Sequence, residues 1–146
     1  MPTEEGFHQT WYVDSSVILR ALLGDSPAAR AWFTQAWANH DRFVGSRLTE
    51  VEVYRTIAKA GQHPSQARPY LGKFTLLLID PVVDDAIALQ QRLAAGDAIH
   101  IATAQTLGPK TVAIVTHDLQ MAKAATQIGF TVVDPVTDDP GCTPVA

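Results

Sequence analysis

Short apolar blocks of two kinds alternate along this chain. TWYV (10–13), FVG (43–45), TLLLI (75–79), TVAIV (111–115) and TVV (131–133) are continuous, too short for buried helices and mostly β-branched or aromatic, so each reads as a strand. Between them apolar residues recur at helical spacing, with start and stop signals at the ends. Residues 16–23 predict a short helix closed by Gly24. Ser26 caps and Pro27 opens a helix to about Asn39, and Ser46 or Thr49 caps a third that runs to Ala60 and stops at Gly61. Residues 64–70 predict another helix, interrupted at Pro69. Asp84 begins the helix DDAIALQQRLAA, Gly96 interrupts it, Asp97 starts a second helix through Leu107, and residues 119–128 form the last.

Strands separated by helices of this length predict an α/β fold: a central parallel five-stranded sheet with helices on both faces, a three-layer α/β/α sandwich. With 146 residues, one domain accounts for 1–146. Residues 1–9 then form an N-terminal extension, and the Pro-, Asp- and Thr-rich stretch 135–146 a mobile or surface-lying tail.

Composition narrows the picture. Apolar residues make up 47% and charged residues 18%, which is ordinary globular usage and excludes a disordered chain. The net charge of −4, from 11 basic and 15 acidic residues, argues against a broad nucleic-acid footprint, unless several acids are occupied by cations. The single cysteine, Cys142, cannot form an intrachain disulfide, which fits a reducing compartment. The first ten residues have the pattern of neither a signal peptide nor an anchor, and no apolar run approaches the roughly 18 residues of a spanning helix. A soluble, cytoplasmic protein without a membrane partner is expected.

The acids fall where such a sheet binds ligands, at the carboxyl ends of its strands. Asp14 ends the first strand, and Asp118 follows the fourth in AIVTHDLQ. Asp97 stands among small and apolar neighbours in LAAGDAIHIATA, and Glu52 lies in SRLTEVEVYR, in the first turns of the helix after the second strand. Each also has a plainer reading. Asp14 and Asp118 can cap the helices that follow them, and Asp97 can cap a helix after Gly96. On a helical projection Glu52 sits on a polar flank with Arg55 and Lys59, while Glu50 falls among Val53, Tyr54 and Ile57, so periodicity does not choose Glu52.

Carboxylates gathered in one place need cations or protons. Two of them about 5 Å apart repel by roughly 3 kcal/mol at an effective dielectric near 20. Oxygen ligands, with no cysteine or spaced histidine pair to join them, suit Mg²⁺ or Mn²⁺ rather than Zn²⁺. His100 and His117 each lack a second histidine at ligand spacing and read as structural. Asp80 and Asp134 precede prolines and suit turns, and Asp84 and Asp85 suit a helix start. Arg20, Arg55 and Arg92 can meet phosphates, pair with a partner's acids or stay solvated. Trp32, Phe33 and Trp37 fit a core or a dimer surface better than a base-stacking platform.

Four stretches, YVDSSVILRAL, SRLTEVEVYR, GDAIHIATA and IVTHDLQMAKAATQIGF, resemble in order the motifs of PIN-domain ribonucleases, in particular the VapC toxins of bacterial toxin–antitoxin pairs. The resemblance extends from Tyr12 to Asp134. It implies an Mg²⁺- or Mn²⁺-dependent endoribonuclease that leaves a 5′-phosphate and a 3′-hydroxyl. The family's catalytic and metal-binding acids fall on Asp14, Glu52, Asp97 and Asp118. Here the choice of Glu52 over Glu50 rests on this match. Ser15 and Thr116 match hydroxyl positions that would orient a carboxylate or a water. A homodimer and a VapB-like antitoxin that occludes the cleft are implied as partners, with RNA as the substrate.

Two other classes compete. A PIN-like module that binds RNA or protein without cutting would not need all four acids. An aspartyl-phosphate enzyme can use a strand-end aspartate, but the phosphatase pattern expects a second acid two residues later, and Ser16 stands there.

Overall fold

The computed structural model describes residues 8–138. Five strands, β1 (Thr10–Val13), β2 (Arg42–Ser46), β3 (Phe74–Leu77), β4 (Val112–Val115) and β5 (Val132–Val133), form one sheet in the order β3-β2-β1-β4-β5. Every neighbouring pair is parallel. The chain builds outward from β1 through β2 to β3, then returns to the other side of β1 for β4 and β5. The switch point between β1 and β4 is the crevice where open parallel sheets bind ligands.

Alternation along each strand divides the core in two. Val13, Phe43 and Val115 face helices α1 (Ser15–Leu22), α2 (Pro27–Ala38) and α3 (Arg47–Lys59), which contribute Val17, Ile18, Phe33, Val53 and Ile57. Tyr12, Val44 and Ile114 face α6 (Ala95–Leu107) and α7 (Leu119–Ile128), which contribute Ile101, Ala104, Met121 and Ala125. The three expected layers are present. Trp32 and Trp37 pack against the first cluster and Phe33 is fully buried in it, so the aromatic set belongs to the core. Among the described residues no helix is long and apolar enough to cross a membrane.

The caps are local and follow the sequence. Ser26 accepts the Ala29 amide at the start of α2. Ser46 and Thr49 share the work at α3: Ser46 Oγ accepts the Leu48 and Thr49 amides, and Thr49 Oγ1 accepts the Ser46 amide.

Departures occur where tertiary burial overrides local preference. The helix expected from Asp84 begins at Val83 and ends at Ala88 (α5, Val83–Ala88), and Asp84 and Asp85 lie in its first turn without a side-chain cap. Leu89 turns extended there, and Leu89 and Leu93 pack on the second core cluster, a gain that outweighs helix propensity. Gly96 does not interrupt a helix. It lies inside the first turn of α6, whose N-cap position is Ala94.

Pro69 likewise does not break a helix, because α4 (Arg68–Leu71) starts one residue before it, where proline is tolerated; a 3₁₀ turn covers Pro64–Ala67. The third strand lies earlier than expected and ends at Leu77, since Leu78 is exposed and Asp80–Val82 turns into a 3₁₀ helix. The start of the expected tail is packed: Pro135–Asp138 is a 3₁₀ turn that buries Val136. Residues 139–146, with Cys142, and most of the extension lie outside the described residues.

Candidate metal centre

Asp14 is the first residue past β1. Its amide bonds Val115 O at 2.8 Å, the last rung between β1 and β4, and the residue is only 5% exposed. It occupies the N-cap position of α1 but makes no side-chain cap bond. Its Oδ2 instead accepts the Ser16 hydroxyl at 2.7 Å and the Thr116 hydroxyl at 3.0 Å. Capping therefore does not explain this acid. Ser16, the residue that spoils the phosphatase pattern, is a direct partner of Asp14.

Glu52 projects from α3 toward the same point. Its Oε1 accepts the Ser15 hydroxyl at 3.1 Å and faces His100 Nε2 at 2.7 Å. Glu50 turns away and pairs with Arg47 at 2.7 Å. The carboxylates of Asp14 and Glu52 and a His100 nitrogen lie within 4.8 Å of one another, a spacing that could hold a metal ion.

Asp97 lies in the first turn of α6, past its N-cap, so it is not the capping residue either. Its carboxyl is pushed up from 3.8 to about 6, first by burial, then by the charges of Asp118, Asp14 and Glu52, with His100 opposing. Asp97 thus feels the charge of three acids from other elements, although the tight group of possible ligand atoms contains only Asp14, Glu52 and His100. Asp118 does cap α7: its Oδ1 accepts the Gln120 and Met121 amides at 2.8 and 3.1 Å. The Asp118 amide in turn donates to Thr116 Oγ1 at 3.1 Å, which ties the acid to the hydroxyl that holds Asp14.

The two histidines part ways. His117 Nδ1 meets Asp134 at 3.0 Å, and its amide donates to Ser16 Oγ. His100 is fully buried and belongs to the acidic cluster. Reasoning on histidine spacing missed it. The available signal was its position three residues after Asp97, on the same helix face. Burial lowers its pKa, but the Glu52 hydrogen bond and the charges of Asp14, Glu52 and Asp97 outweigh that, and the net shift is upward.

Next to the acids lies a cavity of about 300 Å³ between α1 and the start of α7, lined by Ser16, Leu19, Arg20, Leu23, His117 and Asp118 among others. The donor set around the acids is dominated by hard carboxylate oxygens, mutually repelling and supported by hydroxyls, which fits a divalent cation.

The PIN domain family model matches residues 11–127. The chain is 35% identical over 127 residues to Ribonuclease VapC46 of Mycobacterium tuberculosis, covering 85% of this chain and 96% of that protein. It is 38% identical over 132 residues to Ribonuclease VapC35 of the same organism, with the same coverage. Two solved structures share the fold. A toxin–antitoxin complex from Klebsiella pneumoniae superposes with a TM-score of 0.65 at 24% identity, over 85% of this chain and 96% of that one. VapBC2 from Rickettsia felis, bound to a promoter DNA fragment, gives 0.65 at 11% identity, over 86% and 98%.

Proposed function

The chain belongs to the PIN domain family, and from that premise we propose that it is an Mg²⁺- or Mn²⁺-dependent endoribonuclease, the toxin of a VapBC-type toxin–antitoxin pair. The observation that supports the reading is the grouping of Asp14 and Glu52 with His100 within 4.8 Å of one another at the β1/β4 switch point, with Asp97 near enough for the charges of Asp118, Asp14 and Glu52 to push its carboxyl up. These four residues would hold the cation.

A divalent ion held there supplies the positive charge that activates a water and neutralises the phosphodiester as it is attacked. The protein's own groups set the stage. Ser16 and Thr116 fix Asp14, Ser15 fixes Glu52, and the α7 amides fix Asp118, so the negative charges stay in place without solvent reorganisation. Arg20 makes no ion pair with another side chain among the described residues and lines the cavity beside Asp118. It offers a cation to an RNA backbone phosphate just outside the acids.

The relatives are named ribonucleases and the structural neighbours are toxin–antitoxin complexes. On that basis we extend the reading to a VapB-like antitoxin; a homodimer, a cytoplasmic location and the whole chain as one domain are proposed from the family resemblance of the four motifs. The test incubates end-labelled RNA with the purified protein and Mg²⁺ or Mn²⁺, with and without EDTA, beside Asp14→Asn. Cleavage that needs the metal and Asp14 supports the reading. RNA binding without cleavage by the parent protein would favour a non-catalytic module.

A further inference from the structure

His100 lies in α6 with none of its surface exposed, yet both ring nitrogens are engaged at short range. Nε2 is 2.7 Å from Glu52 Oε1, and an ionised carboxylate only accepts, so Nε2 carries the hydrogen. Nδ1 is 2.7 Å from the Tyr12 hydroxyl on β1. The two rings also meet edge to face, with centroids 5.7 Å apart. A chain of polar contacts therefore runs from the sheet interior through the imidazole to an acid of the candidate metal centre.

The second donor to Glu52, the Ser15 hydroxyl, falls on the same oxygen, Oε1. The other oxygen, Oε2, points toward Gly96, where a Cβ would lie 3.6 Å from it. Both hydrogen bonds thus converge on one side of the carboxylate, and the opposite side is turned to the start of α6, one residue from Asp97.

We propose that His100, held by Tyr12, is a positioning residue that locks Glu52 so that Oε2, and not Oε1, is presented to the cation. The inference rests on the metal-dependent reading above. His100 itself is not a ligand in this account, because its two nitrogens are already committed to Glu52 and Tyr12.

Calorimetric titration of the chelator-stripped full chain with MnCl₂, well below the melting temperature, tests it. Losing such an outer partner weakens metal affinity by about 10- to 100-fold, and His100→Leu should fall in that range. His100→Gln places an amide N–H near the Nε2 position but gives up the ring's bond to Tyr12, so it should recover part of the lost affinity and bind Mn²⁺ more tightly than His100→Leu.

Parent-like affinity in His100→Leu overturns the proposal, and so does a His100→Gln protein as weak as His100→Leu, which would mark the imidazole as a ligand. If His100→Leu does not fold, Tyr12→Phe keeps the ring and removes the hydroxyl; weaker Mn²⁺ binding supports the proposal and unchanged binding overturns it. A parent protein that binds no Mn²⁺ removes the metal-dependent reading together with this one, whereas a parent that binds as tightly as His100→Leu removes this one alone.

Discussion

Thr116 Oγ1 donates to Asp14 Oδ2 at 3.0 Å, joining residues 102 positions apart across the β1/β4 boundary. The same oxygen accepts the Asp118 amide, so one hydroxyl holds two acids of the candidate centre. Thr116→Val keeps the shape and removes both bonds. It should lower the cleavage rate by about 10- to 100-fold, as loss of an outer partner does, and reduce stability by about 1–3 kcal/mol because a buried carboxylate loses a donor. Thr116→Ser should recover most of both. Initial cleavage rates and urea denaturation of the two variants check this.

Asp97→Asn separates function from stability. Removing the charge should abolish cleavage while the fold persists. In chelator-treated buffer the variant should melt no lower than the parent, since Asp97 is disfavoured by burial and by Asp118 and Asp14. A clear drop in melting temperature would show that this acid is structural.

The metal-free protein should lose stability as pH rises. A carboxyl moved from 3.8 to about 6 on folding binds its proton more tightly in the folded state. The contribution is full below about pH 4 and lost as pH rises through 6, with an upper bound of roughly 3 kcal/mol before solvent screening. His100 is also shifted upward, so its contribution is present below 6.5 and lost as pH rises through its folded value. Both act in one direction. Melting curves in EDTA between pH 5 and 8 should fall with pH, less steeply in Asp97→Asn; a flat or rising curve would contradict the shifts. Added Mn²⁺ should offset the fall, because cations and protons compete for the same oxygens.

Glu50 and Glu52 make a matched pair of controls. Glu50→Gln loses only a surface pair with Arg47 and should cut RNA as the parent does, with stability changed by less than about 1 kcal/mol. Glu52→Gln disrupts the group formed with Asp14 and His100 and should lose cleavage.

That pair also marks how far the sequence can be read. Ser26, Ser46 and Asp118 were legible as caps because each partner lies within three residues. Asp14 and Asp118 were legible as candidate site residues because they follow strands at the sheet's carboxyl edge. A helical projection of α3 could not choose Glu52, since its partners come from α1 and α6 and the projection knows only α3. His100 was hidden for the same reason: Tyr12 and Glu52 are 88 and 48 residues away. The break at Leu89 has no glycine or proline to announce it and arises from burial of Leu89 and Leu93.

Whether the acids of the candidate centre bind a divalent cation is read from an anomalous difference map of a crystal soaked in MnCl₂, recorded near the manganese edge. A peak bounded by the carboxylates of Asp14, Glu52, Asp97 and Asp118 is expected, absent from an Asp14→Asn crystal treated in the same way. No peak among these acids at saturating Mn²⁺, or an equal one in the variant, would contradict that expectation.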